Sequence, residues 1–115
     1  MRPTALAVAL AIFALACSDN SNSVNNMCSA SGASATIGAT DGLVFSPTSA
    51  TITHGQSVCW QNSGSVAHTV TSNDGTSFSS SLAAGQTFLH AFPTAGSFPY
   101  RCTIHAGMTG TITVN

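Results

Sequence analysis

The sequence predicts an all-β domain, a two-sheet antiparallel Greek-key β-sandwich of about seven strands. Two observations lead to this fold class. Apolar residues alternate with polar ones in short bursts, and clusters of Gly, Pro, Asn and Ser separate one burst from the next. Helical periodicity is absent from these bursts, so each of them is expected to be a strand with one buried face.

The predicted strands follow one another with a turn signal between most of them. We expect strands at residues 35–45, 50–54, 57–61, 68–72, 86–92, 97–102 and 109–114. Turns are expected at residues 46–47, 54–55, 73–75, 84–85 and 95–96, where Gly, Pro or Asn favours a reversal of the chain. Counting in steps of two places Phe98, Tyr100 and Cys102 on one strand face, whereas Cys59 points away from Val58 and Trp60.

The chain divides into a leader, a tether and one domain. Residues 1–16 have the pattern of a signal peptide, because Arg2 precedes an apolar stretch and a small-x-small cleavage pattern. A buried N-terminal helix is the alternative, but a polar tract follows directly and the apolar run is too short to span a bilayer. We therefore predict an exported protein of the periplasm or cell envelope, with a polar tether at 17–34 and the domain at 35–115.

Four cysteines fit an exported protein. Cys17 directly follows the cleavage pattern and resembles the lipidated cysteine of bacterial lipoproteins, although simple signal-peptidase cleavage remains an alternative. If Cys17 is lipidated and Cys102 binds a metal, Cys28 and Cys59 are left to form a disulfide in an oxidising compartment. The alternative for this pair is two free, buried thiols.

The composition excludes several classes of function. Only 4% of the residues are charged and Lys and Glu are absent, so there is no basic patch to bind nucleic acid. The length allows one small domain, which we expect to be a monomer. Contact with a membrane is expected only through a lipid anchor at Cys17.

The chemistry is concentrated in a Cys-x2-His-x2-Met segment formed by Cys102, His105 and Met108. A thiolate with two imidazoles and a weak axial thioether is the ligand set of blue-copper sites. His68 is the candidate for the second imidazole, because it starts a strand after a Gly/Ser loop. His54 is expected to be solvated in a turn, and His90 to be half-buried beside Phe88 and Phe92. Each ligand taken alone is compatible with a purely structural role, but their spacing together predicts a copper site.

These residues resemble the plastocyanin, pseudoazurin and amicyanin group of cupredoxins. The resemblance covers about residues 35–115 and is carried by four segments, which are 60–62, 67–70, 92–105 and 108–110. The two-residue gap between His105 and Met108 is similar to that of amicyanin. Thr69 stands where much of the family has Asn, and its hydroxyl is expected to replace the hydrogen bond of that Asn. The resemblance implies one copper ion and a role as an electron shuttle between larger redox proteins.

The predicted function is electron transfer by a mononuclear blue-copper centre that cycles between Cu(I) and Cu(II). Four protein ligands leave no open position for a substrate, so we expect no enzymatic activity. His105 and Ala106 are the predicted electron port, within a small apolar patch for a redox donor and acceptor. We expect Gly64, Val66, Ala67, Ala106 and Gly107 to form the patch, and the alternative is that they are simply small loop residues. Copper storage or delivery in the envelope is the alternative, and a structural sandwich with a vestigial site is a third hypothesis.

Overall fold

The computed structural model describes residues 28–115. The predicted leader, Cys17 and residues 18–27 of the predicted tether lie outside the described residues. A short 3-10 helix at Ser29–Ser31 is followed by nine strands within the described part of the chain. The strands are β1 (Ala35–Ala39), β2 (Phe45–Ser46), β3 (Ser49–Ile52), β4 (Ser57–Gln61), β5 (His68–Ser72), β6 (Ser79–Leu82), β7 (Thr87–Ala91), β8 (Gly96–Arg101) and β9 (Thr109–Val114).

The nine strands form two sheets, which confirms the predicted all-β sandwich. One sheet has the order β2-β1-β4-β7 and the other the order β3-β9-β8-β5-β6. The prediction of purely antiparallel sheets was wrong, because β1 pairs with β4 in parallel and β3 pairs with β9 in parallel. The alternation of polar and apolar residues is the same in either direction of pairing, so it does not show which direction a strand takes.

The strand count also differs from the predicted seven, and each difference has a local cause. The stretch 35–45 is two strands, because the Thr40 amide donates to the Val44 carbonyl at 3.1 Å and closes a turn. Leu43 lies in this turn with a φ of 63°, which no strand residue adopts. β6 was missed because its sequence is three serines and one leucine, of which only Leu82 is fully buried.

The core lies between the sheets and is rich in aromatic side chains. Trp60 on β4 and Tyr100 on β8 are both fully buried, with ring centroids 5.3 Å apart. Phe45 packs edge-on against Tyr100 at 4.8 Å. These contacts join the two sheets, because Trp60 and Phe45 belong to one sheet and Tyr100 belongs to the other. The core thereby fixes the end of β8, which leads into the Cys102 loop.

The segment before β1 is attached to the outer face of β4. Cys28 and Cys59 form a disulfide, with their Cα atoms 5.6 Å apart. The Ser34 amide donates to the Ser57 carbonyl at 2.8 Å, and both cysteines are buried. Cys59 points away from Val58 and Trp60, as the counting in steps of two predicts. Among the described residues, no helix has the length and apolar character needed to cross a membrane.

Candidate metal centre

The loop between β8 and β9 carries three of the four predicted ligands. Its two ends are joined, because the Cys102 amide donates to the Met108 carbonyl at 2.9 Å. The Met108 amide donates to the His105 carbonyl at 3.2 Å. Gly107 has a φ of 83°, and this left-handed conformation turns the chain back toward Cys102. The short spacing of the motif therefore brings Cys102, His105 and Met108 to one end of the sandwich.

His68 joins this loop from the neighbouring strand β5, which pairs with β8. The Nδ1 atoms of His68 and His105 lie 3.2 Å apart, and the Nδ1 atom of His105 is 3.4 Å from the Sγ atom of Cys102. All three ligand atoms lie within 4.8 Å of one another. Met108 contacts His68, so the thioether-bearing residue lies beside the same group. The structure thus brings the four predicted ligands together.

The four candidate ligands differ in how far they are exposed to solvent. His68, Cys102 and Met108 are 1%, 3% and 1% exposed, whereas His105 is only partly buried. Burial lowers the pKa of His68, and the nearby charge of His105 lowers it further. The backbone carbonyl of Thr40 acts against this shift, although it does not complete a hydrogen bond with the buried Nε2 atom. His68 is therefore held as a neutral imidazole, the form that binds a metal.

The donor set fits copper. A thiol, two imidazoles and a thioether are soft or intermediate donors, and together they select copper over hard cations such as magnesium or calcium. The Thr69 amide points at the Sγ atom of Cys102 at 3.3 Å, a contact that favours an electron-rich sulfur. His68, Cys102, His105 and Met108 could therefore hold one copper ion at this end of the sandwich.

The hydroxyl of Thr69 links β5 to the loop that carries Cys102. It accepts a hydrogen bond from the Thr103 amide at 2.8 Å and lies 3.0 Å from the Thr103 hydroxyl. Thr103 follows Cys102 directly. The side chain of Thr69 on β5 is thus hydrogen-bonded to the loop that carries Cys102 and His105.

The loop that leads into His68 is held by two residues to which the sequence assigned no role at the site. Asn62 is fully buried, and its Nδ2 atom donates to the Val66 and Leu82 carbonyls at 2.7 and 3.0 Å. Asp41 accepts from the Ser65 amide at 2.9 Å and from the Val66 amide at 3.1 Å. Asp41 lies 24 residues before Ser65. No spacing rule in the sequence connects residues so far apart.

The two remaining histidines lie where we expected them, apart from this cluster. His54 is exposed in the turn between β3 and β4. His90 is half-buried, with its ring 4.7 Å from that of Phe92 and 5.0 Å from that of Phe78. Burial lowers the pKa of His90. Neither histidine belongs to the group that includes Cys102.

Comparison with known proteins agrees with this geometry. The family model of copper binding proteins of the plastocyanin/azurin family matches residues 32–115. A plastocyanin from Scenedesmus fuscus is 36% identical over 92 residues, with 68% of this chain and 94% of the plastocyanin covered.

Solved structures show the same fold. A purple cupredoxin from Nitrosopumilus maritimus superimposes with a TM-score of 0.65 and 31% identity, covering 70% of this chain and 99% of its own. A reduced amicyanin variant has a TM-score of 0.64 at 21% identity, with 74% of this chain and 84% of the amicyanin covered. These matches confirm the cupredoxin resemblance predicted from the sequence. The chain belongs to the plastocyanin/azurin family of copper binding proteins.

Proposed function

We propose that this protein is a one-electron carrier whose single copper ion is held by His68, Cys102, His105 and Met108. The observation that carries the proposal is the convergence of a thiol and two imidazoles within 4.8 Å. Met108 contacts His68 beside them, which completes the blue-copper donor set. Bound copper supplies the one-electron step between Cu(I) and Cu(II).

The chain supports this step by holding its donors in place. His68 starts β5, Cys102 directly follows β8, and Met108 directly precedes β9, so each is attached to a strand of one sheet. The burial of these three side chains excludes water from the centre. A site that keeps its shape in both oxidation states loses little energy to rearrangement when an electron moves. Four protein donors also leave no position for a substrate, so we propose no enzymatic activity.

The electron port is proposed at His105 and Ala106. His105 is the only one of the four ligand residues that is not fully buried, and Ala106 beside it is exposed. Ile104 on its other side is 56% exposed and enlarges the apolar surface that we expected from the sequence. Such a surface suits brief contact with a redox protein, since interfaces of this kind are small and weak.

We propose that the carrier acts as a monomer.

We further propose that the protein is exported to the cell envelope and lipid-anchored through Cys17. The leader pattern at residues 1–16 supports export, and the disulfide between Cys28 and Cys59 suits an oxidising compartment. Intact mass of the membrane-extracted protein is expected to show a diacylglyceryl addition at Cys17. Soluble protein beginning at or after residue 17 contradicts the anchor. Alkylation of Cys28 and Cys59 before reduction contradicts the disulfide.

The absorption spectrum of the copper-loaded, oxidised protein tests the proposed centre. We expect an intense thiolate-to-copper charge-transfer band in the visible region, which reduction bleaches and reoxidation restores. A similar chain with 31% identity is named a purple cupredoxin, which is consistent with a coloured centre. Cys102→Ser removes the thiolate and is expected to abolish the band. A colourless Cu(II) form of the unaltered protein rules out the proposal.

An electron carrier and a copper storage or delivery protein differ in whether the protein gives up an electron or the copper ion itself. A carrier keeps its copper through repeated oxidation and reduction and exchanges electrons with a second redox protein. A storage or delivery protein releases the ion to an acceptor such as a chelator when it is reduced. Measuring the copper that remains bound after several redox cycles in the presence of a Cu(I) chelator distinguishes the two.

A further inference from the structure

The turn between β1 and β2 reaches the loop that precedes His68. Both carboxylate oxygens of Asp41 face the Ser65 amide, at 2.9 and 3.2 Å, and one of them also accepts from the Val66 amide at 3.1 Å. The Ser65 hydroxyl donates to Asp41 at 3.2 Å. Within the described residues, Asp41 is thus the partner of two successive backbone amides in another loop.

Val66 is held on both sides of its backbone. Its amide donates to Asp41 and its carbonyl accepts from Asn62 at 2.7 Å. Val66 lies just ahead of His68 in the chain, so the position of its peptide groups constrains where β5 begins. Asn62 anchors the loop from the core, whereas Asp41 anchors it from the surface.

Gly64 makes room for this contact. A Cβ atom at residue 64 would overlap the Asp41 carboxylate, and Gly64 does not have a positive φ that would otherwise require glycine. The absence of a side chain at residue 64 is therefore explained by the carboxylate that occupies the space. The loop can approach the Asp41 carboxylate this closely only because residue 64 is glycine.

The carboxylate is ionised at neutral pH. The hydrogen bonds from the Val66 and Ser65 amides lower the pKa of Asp41. Val66 and Ala67 span about 7 Å at most when fully extended. The hydrogen bond from the Val66 amide adds 3.1 Å, so the carboxylate lies no more than about 11 Å from the His68 backbone nitrogen. That distance is close to the Debye length of about 10 Å at 0.1 M salt, so the charge acts on the centre at low salt and is screened at high salt.

We propose that Asp41 is a positioning residue of the copper centre, which holds the loop before His68 and lowers the reduction potential through its negative charge. This inference rests on the proposed function. A nearby carboxylate stabilises Cu(II) more than Cu(I), because Cu(II) carries one more positive charge. The same carboxylate restrains Val66, and through it the start of β5.

Two variants separate the two roles. Asp41→Asn removes the charge and keeps the size, so the reduction potential is expected to rise at low ionic strength and to approach that of the unaltered protein at 1 M salt. Gly64→Ala displaces the carboxylate but keeps its charge, so the potential should rise less. In both variants amide hydrogen exchange at Ser65 and Val66 should become about tenfold faster, because a charge-assisted hydrogen bond is weakened or lost.

Asp74→Asn is the matched control, because Asp74 is also exposed and lies beyond the opposite end of β5 from His68. It removes the same charge and is expected to leave the potential and the exchange of Ser65 and Val66 unchanged. A potential in Asp41→Asn that shifts no more than in Asp74→Asn overturns the electrostatic role. Unchanged exchange in Asp41→Asn and Gly64→Ala overturns the positioning role. A missing charge-transfer band in the unaltered protein instead defeats the proposed function, while the exchange measurement still decides whether Asp41 holds the loop.

Discussion

Met108 and His105 differ most clearly in how the protein surrounds them. Met108 is 1% exposed and contacts His68, whereas His105 is partly exposed and lies between the exposed residues Ile104 and Ala106. With copper bound, a buried thioether would serve as the weak ligand that tunes the reduction potential. A partly exposed imidazole suits the path by which an electron leaves.

Replacing the thioether tests the axial role. Met108→Gln is expected to keep copper and the charge-transfer band but to lower the reduction potential, because a harder oxygen donor favours Cu(II) over Cu(I). Redox titration followed by the visible band measures the change. A potential equal to or above that of the unaltered protein contradicts the axial assignment.

Replacing the residue beside His105 tests the port. Ala106→Glu introduces a bulky charge on the apolar surface and is expected to slow electron exchange with partner proteins while the spectrum stays unchanged. Ala95→Glu is the control, because Ala95 is also exposed but precedes β8 at the end away from Cys102. Stopped-flow kinetics compare the two. Equal rates in both variants count against the port.

At the scale of elements, the pairing of β8 with β9 brings Tyr100 opposite Gly110. The Tyr100 hydroxyl occupies the space where a Cβ atom at residue 110 would lie, and the Thr48 carbonyl is 2.8 Å from that position. Burial raises the pKa of Tyr100 to about 12, so its hydroxyl stays neutral. The close approach at Gly110 therefore joins β9 to the aromatic core and holds one end of the Cys102 loop.

A methyl group at residue 110 tests this packing. Gly110→Ala is expected to destabilise the protein by about 1–3 kcal/mol, because the tyrosine or the backbone has to move. Gly38→Ala is the control, since a Cβ there meets only the Ser46 carbonyl at 3.7 Å, an ordinary contact. Urea denaturation monitored by fluorescence gives both free energies of unfolding. Similar values for the two variants show that the space at residue 110 is not required.

At the scale of the whole molecule, two histidines and two aspartates of the described residues make the folded state less stable in acid. Burial lowers the pKa values of His68 and His90, so the folded state prefers their neutral forms. Hydrogen bonds lower the pKa values of Asp41 and Asp74, so the folded state prefers their ionised forms. Both kinds of group contribute stability above their unfolded pKa values and lose it as the pH falls.

The copper-free protein is therefore expected to lose stability in two steps. The first begins below pH 6.5, the ordinary value of the histidines, and the second below pH 3.8, that of the aspartates. Denaturant unfolding at a series of pH values measures both. His90→Phe keeps the ring among Phe78 and Phe92 and is expected to weaken the first step. Stability that stays constant from pH 8 to pH 5 disproves the histidine contribution.

Local features of the sequence determined the sandwich class, the strands that carry the site and the candidate ligands. Residues 57–61, 68–72 and 109–114 were predicted as β4, β5 and β9 with their observed bounds. The period of two is clear in β5, where every second residue is buried, whereas in β4 the disulfide also buries Cys59 on the opposite face. The spacing of Cys102, His105 and Met108 indicated copper because those donors lie on one short loop.

Only the tertiary structure decided how strands pair and what surrounds the ligands. The parallel pairing of β1 with β4 leaves no trace in the alternation of polar and apolar residues. β6 has too few apolar residues for any alternation to be seen. Asp41 contacts Ser65, which lies 24 residues later in the chain. A side chain at residue 64 would overlap the Asp41 carboxylate that makes this contact. Such contacts depend on the path of the whole chain through two sheets. A residue's neighbours in sequence therefore do not reveal them.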